Sequence, residues 1–141
     1  MCAKMNNMKI MEEVMSEIFQ KHDLSKIDDL MRDDYIQHNP NVPQGKAGFV
    51  SYFTAKWKAV PDSGCSVKRI VAEGDIVMVY SVSTGTHTGE GWLGAPATGN
   101  KLSFDVVDIF RIEDGKLAEH WDVADTLTLF TQLGLVKERS A

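Results

Sequence analysis

Apolar residues in the first third of the chain recur at helical spacing. From Asn7 they fall at Met8, Met11, Met15, Ile18 and Phe19, with Glu12, Glu13, Glu17 and Lys21 on the other side. This pattern predicts an amphipathic helix. A second, shorter helix is expected after Asp23, with Ser25 placed to cap it and Leu24, Ile27, Leu30 and Met31 as its apolar stripe. The segment Tyr35-Ile36-Gln37-His38-Asn39-Pro40 cannot continue that helix, because Pro40 disfavours helical geometry at Asn39. Pro43 and Gly45 then make a loop. A third helix is expected from Lys46 to Ala59, with Phe49, Phe53 and Trp57 four residues apart on one side.

Beyond Gly64 the period changes to two. Val67 to Ala72 reads as a strand, and Glu73-Gly74-Asp75 turns into a second strand from Ile76 to Thr84. Gly85 to Gly99, rich in glycine and threonine, reads as a long connection. Leu102 to Ile112 forms a third strand, Glu113-Asp114-Gly115 a hairpin turn, and Lys116 to Ala124 a fourth strand. A short helix, Thr126 to Leu133, closes the chain before Gly134. Helices segregated from four antiparallel strands give an α+β class. The 141 residues suit one domain spanning 1–141, with residues 1–6 and 135–141 expected as tails.

Composition narrows the function. The net charge is −5 and the pI about 5.3, with 15 basic residues scattered, so no electropositive field exists to attract nucleic acid. No run of about 18 apolar residues occurs, which gives no membrane span. The first fifteen residues have no apolar signal-peptide core, and a cytoplasmic location is expected. Cys2 and Cys65 form no C-x-x-C pair, and His38, His87, His120 and Asp122 show no H-x-x-x-H or H-E-x-x-H spacing. Neither a metal nor a cofactor is expected. Gly89-Glu90-Gly91-Trp92-Leu93-Gly94 matches G-x-G-x-x-G in letters, but no helix follows it to complete a phosphate cradle.

The final hairpin carries the most chemistry. Phe104, Val106 and Asp108 share one face of its first arm; Ala118, His120 and Asp122 share one face of its second. Leu117, Glu119, Trp121 and Val123 take the other face. Leu117 and Trp121 look buried, so the sheet is expected to be covered on both sides. Polar groups on a doubly covered sheet need a pocket or partners. His38 and Asn39, at the bend that ends the second helix, can join them; a histidine near a carboxylate serves as a general base or orients one.

Taken together, the helix order, the Tyr-Ile-Gln-His-Asn-Pro bend and the closing Asp-Ile-Phe-Arg-Ile-Glu-Asp-Gly-Lys-Leu-Ala-Glu-His-Trp-Asp-Val hairpin resemble the SnoaL-like polyketide cyclases. These belong to the nuclear-transport-factor-2-like superfamily, which includes ketosteroid isomerase. The resemblance covers about Met8 to Leu133. It implies a cone-shaped barrel, a strongly bent antiparallel sheet wrapped around the N-terminal helices, with an apolar pocket. In such cyclases a carboxylate on the last long strand is the general base of an intramolecular aldol condensation, and the matching residue is Asp122. Asp108 stands where the cyclases carry a histidine. The similar position in ketosteroid isomerase is the protonated acid that donates to the oxyanion. That enzyme's catalytic carboxylate lies at the bend occupied here by His38 and Asn39.

The resemblance therefore implies proton abstraction alpha to a carbonyl in a small apolar ligand. Asp122 is the base, His120 or His38 its partner, and a protonated Asp108 the oxyanion donor. Phe49, Phe53, Trp57, Tyr80, Phe104 and Val106 are the expected walls. Two other classes stay open: a binding domain without turnover, and a hydrolase that activates water with the same Asp and His groups. A homodimer through the outer sheet face is also implied, with Trp121 and Val123 covered there or under the terminal helix.

Overall fold

The heptad-like methionines of the first helix are its buried face. In the computed structural model, which describes residues 3–137, helix α1 spans Ala3–Val14 and continues through a wider π turn, Met15–Gln20. Met11, Val14, Met15 and Ile18 are buried, as their spacing requires. The helix begins at Ala3, earlier than Asn7, so 3–6 are helical; residues 1–2 and 138–141 of the expected tails lie outside the described residues.

The second helix is much shorter than expected. Helix α2 is Ile27–Leu30, and Met31–Gln37 forms strand β1. Ser25 does not cap it; the Ser25 backbone N–H instead donates to the Asp23 carboxylate at 2.8 Å. A short apolar run fits either period, and pairing decides between them. Here β1 lies parallel to the last strand, with Ile36 opposite Glu119 and Gln37 opposite His120. Tyr35 and Gln37 turn inward, and Ile36 is 42% exposed.

Helix α3 spans Gly45–Ala59. Strands β2 (Gly64–Glu73), β3 (Ile76–Thr86), β4 (Lys101–Glu113) and β5 (Lys116–Ala124) follow, then helix α4 (Thr126–Gln132). The sheet order is β1-β5-β4-β3-β2. The architecture is α+β, a curved five-stranded sheet against the N-terminal helices, but β1 and β2 stay unpaired edges and hydrogen bonds do not close it into a barrel. The sheet is antiparallel except at β1.

Two apolar clusters hold the layers together. One joins α1, the π turn and α3 to the sheet through residues such as Met11, Ile18, Phe49, Val79 and Phe110. The other joins the loop after β3 to α4 through Trp92, Ala95, Leu102, Phe104 and Leu129. That loop is pinned to the end of α3: the Thr88 and Gly89 amides both donate to the Ala59 carbonyl, at 3.0 and 2.9 Å. A side chain at position 89 would meet the Lys58 carbonyl oxygen at 2.6 Å, so only glycine fits there. Among the described residues no helix is long and apolar enough to cross a membrane.

One expectation about faces fails in an informative way. Leu117 is fully buried in the first cluster, on the same side as His120 and Asp122. The register slips between Arg111 and Ile112: Ile112 pairs with Leu117 but Arg111 with Glu119, leaving Ala118 as a bulge. Glu119, Trp121 and Val123 do face outward. Val123 is 69% exposed, so α4 does not cover it, and this side of the hairpin is partly open rather than sealed.

Candidate functional site

The bulge brings Asp108 and Asp122 opposite each other across the β4–β5 ladder, with Phe110 opposite His120. These side chains enter a cavity between the two apolar clusters, a space of about 960 Å³ counting its open mouth. Its walls include Phe49 and Phe53 from α3, Phe104 and Val106 from β4, and Trp92 from the loop. The mixture, mostly apolar with a few convergent polar groups, is that of a small-molecule site.

Polar residues from three strands form one connected set. His120 Nε2 lies 2.8 Å from Asp108 Oδ1 and 3.7 Å from Asp122 Oδ2. Its other nitrogen, Nδ1, lies 2.6 Å from the Gln37 side-chain oxygen. The Asn39 backbone N–H also donates to that oxygen, at 2.9 Å, while the Gln37 amide nitrogen donates to the Tyr35 hydroxyl at 3.1 Å. A backbone N–H meets only an acceptor, so the amide orientation follows from the network. His120 Nδ1 then carries a hydrogen, and Nε2 is the nitrogen that shares a proton with Asp108.

Asn39 supplies the remaining contact. Its side-chain nitrogen donates to Asp122 Oδ2 at 2.7 Å. Gln37 is further fixed by Gln44, whose side chain bonds both its N–H and its carbonyl. Burial raises the Tyr35 hydroxyl above its usual range, helped by the negative charges of Asp108 and Asp122. Asp108, His120 and Asp122 also place one imidazole nitrogen and two carboxylate oxygens within 4.8 Å of one another. A divalent cation can use such a donor set, which letter spacing alone did not show.

Two expected site residues lie elsewhere. His38 points to the outer face, because the period of β1 sends it opposite to Gln37 and Asn39. There it stacks on Trp121 at 4.9 Å between ring centres, bonds Glu119 at 2.6 Å and is 40% exposed. The same bond, with Arg111 beside it, holds the Glu119 carboxyl below its usual value. Tyr80 also faces outward, where its hydroxyl donates to Asp105 at 2.9 Å. Its strand is apolar on both sides through Ile76–Tyr80, so the sequence carried no sign of which side faces in. Val77, Val79, Ser81 and Ser83 do. Trp57 lines the cavity and stacks on His22 at 4.6 Å.

Several lining residues were not anticipated: Gln37, Tyr52, Ser81, Ser83, Trp92 and Lys56. Lys56 had a visible signal. It lies three residues after Phe53 and seven after Phe49, on the apolar stripe of α3. Burial lowers its ammonium to about 8, with the Asp108 charge acting in the opposite direction. Burial also raises Tyr52 to about 12 and lifts the Cys65 thiol, which makes Cys65 a poor nucleophile.

Comparison with known proteins adds to this geometry. A family model described as SnoaL-like polyketide cyclase matches residues 9–133. The chain is 30% identical over 101 residues to aklanonic acid methyl ester cyclase DnrD from Streptomyces peucetius, covering 70% of this chain and 68% of that one. Among solved structures, TsrD from Streptomyces laurentii superposes with a TM-score of 0.83 at 31% identity, over 96% of this chain and all of the other. AclR, a proposed hydroxylase from Streptomyces galilaeus, gives 0.85 at 30% identity, over 98% of this chain and 87% of its own.

Proposed function

We propose a carbon-acid reaction for this cavity, since the chain belongs to the SnoaL-like polyketide cyclases and its pocket holds the groups such a reaction needs. Asp122 is the general base that removes a proton alpha to a carbonyl of a small apolar ligand. Asn39, donating at 2.7 Å, orients the carboxylate and leaves it free to accept. As the carbon–hydrogen bond breaks, its electrons move onto the carbonyl oxygen. The proton held between Asp108 and His120 stabilises that developing enolate. In a ring closure, the enolate carbon then attacks a second carbonyl of the same ligand. A carbon–carbon bond forms, and the new alkoxide takes the proton from the Asp108–His120 pair. The proton on Asp122 passes to solvent while solvent returns one to the Asp108–His120 pair, and the product is an isomer of the substrate.

The observation that carries this reading is the chain from Gln37 through His120 to Asp108, with Asp122 3.7 Å from the same imidazole nitrogen. One side chain accepts while its neighbours hold a proton, all against apolar walls. The methyl ester of an acid, as in the name of the S. peucetius relative, is a suitable substrate class.

Deuterium wash-in tests it. Proton NMR in heavy water, over cyclic ketones and β-keto esters, should show exchange alpha to the carbonyl with the unaltered protein. Asp122→Asn should lose roughly 10²–10⁴-fold of that rate. Full exchange by Asp122→Asn would remove Asp122 from the base role. Binding of a broad panel with no exchange would favour a binding domain, and turnover of an ester or epoxide with no exchange would favour hydrolysis.

A further inference from the structure

Lys56 is a cation that the described protein leaves without a counter-ion. Its ammonium lies 5.8 Å from the Phe53 ring centre, 5.3 Å from Trp92 and 5.8 Å from Phe104. Among the described residues its one hydrogen bond is a long one, 3.4 Å to the Ser83 hydroxyl, and no carboxylate pairs with it. An ammonium has three N–H donors. Three aromatic faces attract the positive charge but accept none of those hydrogens in the way water does. Lysine is rarely buried without a partner, because desolvation costs more than such contacts return.

The same ammonium lines the cavity and is its one lysine or arginine among the described residues. Its unused donors therefore have the ligand space available to them. Trp92, against whose ring it lies, has a buried indole N–H that makes no well-formed hydrogen bond among the described residues, with the Tyr52 hydroxyl beside it. Cationic and neutral donors thus gather at one wall, while Asp108, Asp122 and His120 hold the sheet side. A neutral apolar ligand would bury the ammonium further and leave it unpaired. A ligand with an anionic oxygen would satisfy it.

We propose that Lys56 recognises an anionic oxygen, a carboxylate or an ionised ring hydroxyl, carried on the apolar ring system of the ligand. The reacting carbonyl is left to Asp108, His120 and Asp122. This deepens the reading above by naming the substrate class, an acidic ring compound, and it rests on that reading only in taking the cavity as the ligand site.

The test reads binding and not turnover. Quenching of tryptophan fluorescence at pH 7 would follow two matched pairs: 2-naphthoate against 2-naphthamide, and 2-naphthol against 2-methoxynaphthalene. None carries an exchangeable proton alpha to a carbonyl, so the result is independent of whether Asp122 acts as a base. The full chain should bind 2-naphthoate at least tenfold more tightly than the amide, or bind 2-naphthol as the anion, seen as naphtholate absorbance in the complex. The first outcome assigns a carboxylate and the second a ring hydroxyl. Lys56→Met, close in shape, should lose the preference to within twofold while still binding the neutral partner. Lys56→Gln provides a second uncharged variant should the first fold poorly. Equal affinity within both pairs, an anion preference that survives in both variants, or no binding of any probe up to its solubility would overturn the proposal.

Discussion

An unpaired ammonium held for a ligand should destabilise the empty protein, and the effect has a definite sign and pH range. Burial takes Lys56 from 10.5 to about 8, a loss of about 2.5 powers of ten in proton affinity. At about 1.4 kcal/mol for each power of ten, keeping the charge in the folded state at pH 7 costs up to about 3–4 kcal/mol. Water entering through the open mouth of the cavity makes that figure an upper bound. Below pH 8 Lys56 is charged in both the folded and unfolded chain, and the whole cost is present. Between pH 8 and 10.5 the folded form sheds its proton while the unfolded form keeps it, so the cost shrinks as pH rises. Lys56→Met should therefore be more stable than the unaltered protein at pH 7, by about 1–3 kcal/mol, and the gap should narrow toward pH 10.5. Urea unfolding at pH 7, 8.5 and 10 measures it, and groups that titrate alike in both proteins cancel in the difference. The acidic probes of the preceding section, added to saturation, should stabilise the unaltered protein more than the variant. A gap that is absent at pH 7, or constant across this range, would refute the claim that Lys56 is held as an unpaired charge.

Two further outcomes follow from which side of the sheet a residue faces. His38→Ala removes the stack on Trp121 and the bond to Glu119, both on the outer face. It should cost about 1 kcal/mol in thermal unfolding and leave the deuterium exchange rate within about twofold; a loss comparable to that of Asp122→Asn would return His38 to the reaction. We also propose that the outer face, where Val71, Met78 and Val123 are exposed, pairs two copies of the chain. Val123→Glu should then shift sedimentation from dimer to monomer, and a monomeric unaltered protein at tens of micromolar would dismiss the pairing.

Much of the fold is legible because its signals are local. The glutamates of the first helix fall between its buried methionines, and both hairpin turns carry a glycine with positive φ, Gly74 and Gly115. Strand β1 is hidden for the opposite reason. Its side chains Arg32, Asp33 and Asp34 have no apolar alternation, and its partner β5 lies about eighty residues away. Only the parallel pairing makes it a strand, and that pairing decides that Gln37 and Asn39 face the cavity while His38 does not. Gln37 had no signal of its own: its role exists through His120, which reaches it across that pairing.

The candidate site depends on a single extra residue. With the two-residue turn at Asp114 and Gly115, Glu113 pairs with Lys116 and Ile112 with Leu117. An uninterrupted ladder would continue by setting Asp108 opposite Trp121, and residues directly opposite one another share a face. His120 and Asp122 would then project from the side away from Asp108. Alternation groups Asp108 with Val106 and His120 with Asp122, and expecting both groups on one face names the right set, yet a regular ladder from this turn would separate them. Ala118 joins them: as the bulge residue it absorbs one position, so Arg111 meets Glu119 and Asp108 meets Asp122. The same slip turns Trp121 out toward His38, whereas Leu117, paired with Ile112 on the turn side of the bulge, faces inward with or without it. The residue at this buried position is a small one, alanine. The acid pair, the imidazole and the outer stack are thus one consequence of where the ladder slips, which explains why residue types alone could nominate these groups without fixing which face His38 would take.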